Sequence, residues 1–182
     1  MSQASHRLFF AIRPPLRLAR RIANAASWFD ARGQALAAER LHVTIDIIDD
    51  HADLPRGLVD TLMAAGNAVA AVPFDMAFDL AVGSPKSVAL RPGRRNPGVE
   101  ALRQRITAAR ERVGVVPRRD YRFGTHMTLG YRQGAPFTQG IAPLGWTAQE
   151  FVLIHSHVGR TRHDVLARWP LKPAPGPQLA LF

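Results

Sequence analysis

The sequence predicts an α+β fold. Short apolar strands and amphipathic helices intermix along the chain, but their connections are too uneven for a doubly wound parallel sheet. A length of 182 residues, with 47% hydrophobic and 21% charged residues, suits one compact domain with its own core and excludes a disordered chain. No internal repeat of the solenoid kind is present.

Each element has a local cause. Residues 7–12 form a short apolar run and read as a strand. Pro14-Pro15 ends it and starts a helix, in which Leu18, Ile22, Ala26 and Phe29 recur at helical spacing until Gly33 stops it. Residues 41–48 alternate, with Leu41, Val43, Ile45 and Ile47 on one face and His42, Thr44, Asp46 and Ile48 on the other, as in a half-buried strand. Asp53-Leu54-Pro55 opens a second helix to about Val72. Strands follow at 74–82 and 87–90, separated by the turn Gly83-Ser84-Pro85. A basic loop (91–97) leads into a third helix at 98–113, where Val99, Leu102, Ile106 and Ala109 share a face. An Arg-rich loop (115–122) precedes strands at 125–131, 151–157 and 165–169. Pro173, Pro175 and Pro177 then mark an extended tail, so the expected division is a domain over 1–172 and a tail over 173–182.

The net charge is +10, carried mainly by Arg, and it favours polyanionic partners: nucleic acid, phosphorylated small molecules or anionic lipid. The absence of cysteine excludes disulfides, thiolate catalysis and Cys-ligated metal centres. No run is long enough for a membrane span, and the apolar stretch 8–12 is too short for a signal-peptide core. A cytoplasmic monomer with no membrane contact is the expectation.

Two strands carry one pattern. His42-Val43-Thr44 and His126-Met127-Thr128 each place an imidazole and a hydroxyl on the same strand face, with apolar neighbours on the other. Two such strands facing each other would offer two imidazoles and two hydroxyls. That set suits phosphodiester chemistry. One His takes a proton from the attacking oxygen, the other gives one to the departing oxygen, and the hydroxyls hold the phosphate oxygens where charge gathers.

These motifs, 84 positions apart, lie between an opening Arg7-Leu8-Phe9-Phe10-Ala11-Ile12 and a closing Phe151-Val152-Leu153-Ile154-His155-Ser156 with residues 165–171. In that order, over residues 7–171, the chain resembles the 2H phosphoesterases, and among them the bacterial RNA 2′,3′-cyclic phosphodiesterases, also called 2′-5′ RNA ligase-like proteins. The resemblance implies a bilobal fold of two antiparallel sheets, backed by helices on their outer faces, around a central cleft. The chain ends build one lobe, the middle builds the other, and each supplies one motif. It implies hydrolysis of a 2′,3′-cyclic phosphate to a 2′-phosphate without metal or cofactor, with reversible 2′-5′ ligation in some members. By the same resemblance His42 and His126 are the acid/base pair, with a lean towards His126 as base and His42 as acid. Thr44 and Thr128 hold the phosphate, and Ser156 lies near the cleft. The chain departs from the family in two places. Asp46-Ile47-Ile48-Asp49 follows the first motif, which would put two carboxylates at the cleft entrance. Tyr131, with Arg132 next to it, stands where an Arg is common.

Other residues extend the reading. Arg91, Arg94, Arg95, Arg118, Arg119 and Arg122 sit in two loops and could meet phosphates of a longer RNA. Tyr121, Phe123, Tyr131 and Trp146 could stack a base, Phe123 best among them. Phe123, Tyr131, Arg132 and Ser156 are thus the candidate substrate-binding residues. His155 and His157, with His163 beyond, could supply zinc ligands, but Asp164 alone stands near to complete them, and no metal site is expected. The alternatives to a cyclic phosphodiesterase are a metal hydrolase on those histidines and a nucleic-acid-binding or adaptor module with little turnover. Finally, Gln178, Leu179, Leu181 and Phe182 resemble the peptide by which bacterial polymerases and repair proteins dock on the sliding clamp, which makes that clamp a candidate partner.

Overall fold

Both ends of the chain build one sheet and its middle builds another. The computed structural model describes residues 5–29 and 35–172. In order, the chain runs β1 (His6–Ile12), α1 (Leu16–Ala25), β2 (Val43–Ile47), α2 (Leu58–Asn67), β3 (Phe74–Gly83), β4 (Ser87–Arg91), α3 (Pro97–Arg112), β5 (Met127–Tyr131), β6 (Phe137–Ala148), β7 (Glu150–His157) and β8 (Arg162–Pro170), with short 3₁₀ turns at Ala26–Phe29 and Ala38–Arg40. The first sheet has the order β2-β1-β7-β8 and the second β5-β4-β3-β6, each antiparallel throughout. This is the α+β, two-sheet fold expected from the sequence. No helix among the described residues is long and apolar enough to cross a membrane.

The helices form where the sequence caps and stripes them. Asn96 caps α3: its side chain accepts a hydrogen bond from the Val99 N–H at 3.1 Å, Pro97 follows in the first turn, and Arg110 and Arg112 stand near the negative end of the helix dipole. α3 buries Val99, Leu102, Ile106 and Ala109 and packs against β2, β3 and α2. α2 is shorter than the 53–72 expected, because Gly57 just before it has a left-handed φ of +77° and delays its start. It docks on β8 through Gly66, where an added Cβ would come within 2.2 Å of the Trp169 ring, while Trp169 Nε1 donates to Asn67 Oδ1 at 2.7 Å.

One sheet face and one strand need separate comment. A continuous core joins Leu8, Phe10, Ile45, Phe151 and Leu153 of the first sheet to Phe78, Leu90, Met127 and Leu129 of the second. On the other face of the first sheet, Phe9, Ala11, Ile47, Val152 and Ile154 make a smaller cluster with Tyr121 and Val165. β6 is a strand that the sequence pattern does not reveal. Gly140, Pro143 and Gly145 break its alternation, and its register with β3 slips between Phe78 and Leu80. An edge position tolerates this, since one side of β6 needs no ladder partner. The expected helix stop at Gly33 and the tail over 173–182, with Gln178, Leu179, Leu181 and Phe182, lie outside the described residues.

Candidate active site

The two His-x-Thr segments are built alike, one in each sheet. Each histidine stands one residue before its strand, β2 or β5. His42 Nδ1 lies 2.6 Å from the Arg40 carbonyl, and His126 Nδ1 lies 2.6 Å from the Gly124 carbonyl. A carbonyl only accepts, so both rings carry a proton on Nδ1. Each Nε2 is left free to take or give a proton. Thr44 pairs with Ala11, and Thr128 with Ala89. In both strands the register then slips past one residue, Ile45 in β2 and Leu129 in β5. The halves also exchange backbone contacts. The Leu36 N–H, ahead of β2, donates to the Leu129 carbonyl at 2.7 Å, and the Arg118 N–H, ahead of β5, donates to the Ile47 carbonyl at 3.0 Å.

The first of these bulges corrects the expected carboxylate entrance. Because Ile45 is skipped, Asp46 pairs with Phe10 and turns into the interior, where Arg110 Nε of α3 meets its carboxylate at 2.6 Å. Ile47 takes the cleft-facing place. No Asp or Glu lines the cavity, Asp49 included, among the described residues.

That cavity, of about 310 Å³, lies where the two strands meet. His42, Thr44 and Ile47 reach it from the first motif and Thr128 and Tyr131 from the second, with Arg7, Phe9, Arg40, Ser156 and His163 completing much of the wall. His126 is close enough for its charge to act on His42. Burial above all, with the positive charges of His126, Arg13 and Arg40, lowers the His42 pKa to about 4 against the opposing hydrogen bond to the Arg40 carbonyl. Arg7 is held by Asp50 at 2.6 Å, and Arg118 joins the same carboxylate at 3.1 Å. A cavity with two Arg, several hydroxyls and no carboxylate suits an anion.

Three groups here escape a sequence reading: Arg7, Arg40 and His163. His163 stands edge-on to His42, with ring centroids 5.3 Å apart, and against Phe9 at 5.7 Å. Burial first, then the charges of His42, Arg40, Arg13 and Arg7, lower its pKa to about 3, and its Nδ1 is buried without a partner. No local signal marks it, because its neighbours come from β1 and β2.

Of the candidate substrate-binding residues, Tyr131 and Ser156 line the cavity and Phe123 and Arg132 do not. Phe123 packs against the main core, with the Arg103 guanidinium 4.6 Å above its ring. Arg132 Nη1 donates to the Ser84 and Ala135 carbonyls, and its guanidinium lies 5.3 Å from the Phe137 ring. Tyr121 does not line the cavity but packs in the small cluster with Phe9 and Ile47, which do, and Trp146 lines a different cavity beside Arg13. None of the six loop arginines lines the active cavity. The histidines considered as zinc ligands divide: His163 joins His42, whereas His155 and His157 gather with His6, and His157 also lines the cavity.

No protein-family model and no curated protein matches the sequence. Solved structures do. A crystal structure of E. coli LigT complexed with 3′-AMP superposes with a TM-score of 0.77 at 23% identity, over 93% of this chain and 99% of that one. A structure described as a phosphoesterase gives 0.72 at 23% identity, over 92% and 99% of the two chains. TT0787 of Thermus thermophilus gives 0.70 at 22% identity, over 91% and 98%.

Proposed function

Proceeding from a fold that is the LigT-like 2H phosphoesterase fold, we propose that the chain is a phosphodiesterase that opens 2′,3′-cyclic phosphate ends of RNA or nucleotides. The observation that carries this reading is the duplicated motif: two imidazoles in the same tautomer, each with a threonine two residues on. His42 and both threonines line one cavity without carboxylates, and His126, outside its lining, is near enough for its charge to act on His42. The complexes of LigT with 3′-AMP, NADP⁺ and ATP support a nucleotide as the ligand class.

The chemistry follows from proton positions. His42 is neutral through the physiological range, with Nε2 unprotonated, so it takes the proton of the attacking water. This reverses the lean from the resemblance, which made His42 the acid. Water bonds to phosphorus, the P–O3′ bond breaks, and His126 delivers a proton from Nε2 to O3′. The products are a 2′-phosphate and a 3′-hydroxyl. Thr44 and Thr128 donate to the non-bridging oxygens, and Arg40 adds positive charge nearby. The 2′-5′ joining of RNA ends runs through the same groups with their roles exchanged.

Turnover of a 2′,3′-cyclic nucleotide in excess EDTA tests the reading. Turnover should persist in EDTA and fall by about 10²–10⁴ in His42→Ala and in His126→Ala, as loss of a general acid or base does. Near-native turnover in either variant would overturn it, and a native chain without turnover would make this a binding module.

A further inference from the structure

We propose that His6, His155 and His157 form a binding site for one borderline divalent transition-metal ion, zinc or a chemical neighbour, at the end of the first sheet beside the active cavity, whose wall includes His157. The site does not depend on the catalytic reading.

Register brings the three together. On adjacent strands His6 pairs with His157, and Leu8 pairs with His155. Residues 6 and 8 of β1 therefore share a face with 155 and 157 of β7, and Arg7 and Ser156 point the other way. The ring centroids of His155 and His157 are 4.2 Å apart, and that of His6 lies 5.0 Å from the first and 5.9 Å from the second. One ring nitrogen from each falls within 4.8 Å of the other two. Tetrahedral zinc with bonds of about 2.0–2.1 Å needs its nitrogens about 3.4 Å apart, so small ring rotations close the site. His6 Nδ1 and His155 Nε2 are already 2.8 Å apart and share one proton, which an ion would displace.

The surroundings are also those of a ligating set. His157 Nε2 donates to Asp164 Oδ2 at 2.8 Å, and Arg162 holds the other carboxylate oxygen at 2.9 Å. That fixes the His157 tautomer with Nδ1 unprotonated and free to ligate, an arrangement common behind metal-bound histidines. His51 is bridged to His6 on the far side of β1, at 2.7 and 2.9 Å through the backbone, and its Nε2 is buried without a partner. Three imidazoles select borderline metals over magnesium or calcium, and a tetrahedral ion would take its fourth ligand from elsewhere, as a water. His157 and the turn that follows it, with Val158, Gly159 and Thr161, belong to the cavity wall, so a bound ion would brace that wall.

The test uses tag-free full-length chain stripped with EDTA, then titrated calorimetrically with Zn²⁺ and spectroscopically with Co²⁺. One ion should bind per chain, Co²⁺ should show the intense visible bands of a low-coordinate site, and Zn²⁺ should raise Tm. His6→Gln, His155→Gln and His157→Gln should each abolish the site. Asp164→Asn removes no ligand and should weaken binding by about 10–100-fold, which keeps the test valid if a histidine variant fails to fold. A native chain that takes up no ion would overturn the proposal, and so would an affinity that Asp164→Asn and the histidine variants leave unchanged.

Discussion

At the scale of the residue, two neutral imidazoles, His42 and His163, set the pH response. Their pKa values, about 4 and about 3, lie below the ordinary 6.5 that they regain in the unfolded chain. Between these values the unfolded chain binds protons that the folded chain refuses. Their contribution to stability is therefore complete above about pH 6.5 and is lost as pH falls towards 4 and then 3. Urea unfolding from pH 7.5 down to pH 4 should give a plateau followed by a steady decline, and His163→Leu should flatten that decline. A rise in stability on acidification would contradict the burial of these rings. In kinetics, the acid limb of kcat/KM should fall near pH 4, where His42 titrates, and not near 6.5. The histidine–threonine pairs are legible in the sequence because an i, i+2 spacing is local. His163, Arg7 and Arg40 are not, because only tertiary structure brings them to the same wall.

At the scale of the element, the bulges at Ile45 and Leu129 decide which way each strand's later residues point. Strict alternation puts Asp46 beside Thr44, and no pattern in the sequence announces that one residue is skipped. The same shift on β5 directs Tyr131 to the cavity and leaves Arg132 on the carbonyls of Ser84 and Ala135. The bulge at Ile45 also fixes α3 to β2 through the buried pair of Asp46 and Arg110, whose side chains are 6% and 2% exposed. Removing one partner strands a charge in the core. Asp46→Ala or Arg110→Ala should cost about 3–5 kcal/mol in denaturant unfolding, and the double variant Asp46→Leu with Arg110→Met should recover most of it. A single variant costing less than about 1 kcal/mol would mean that the pair is solvated. β6 teaches the complementary lesson: a strand at a sheet edge can carry Pro and Gly that would disqualify it elsewhere.

At the scale of the whole molecule, one apolar core spans both sheets. Far-UV circular dichroism and tryptophan fluorescence should therefore report one coincident unfolding transition, and two separated midpoints would mean that the sheets melt independently. The charge of +10 is also a property of the whole. Of the Arg side chains among the described residues only Arg7 and Arg40 line the active cavity, so the other described cations are left to meet phosphates further along a bound RNA. Affinity for an oligonucleotide should fall with salt more steeply than affinity for a cyclic mononucleotide, and equal slopes would leave those arginines without a role in binding. Composition foretold the sign of this field, but its distribution waited on the loops.

The division of the sheets between chain ends and chain middle has a consequence for synthesis. All four strands of the second sheet, β3 to β6, are contiguous and can pair as soon as residue 148 has left the ribosome. The first sheet cannot. β1, at its centre, has one flank open until β7 is made, some 140 residues later, and an apolar strand with an open edge invites pairing with another nascent chain. Contacts of such long sequence separation also form slowly. Vectorial synthesis thus completes the half that carries His126 before the half that carries His42, and the cavity between them closes last.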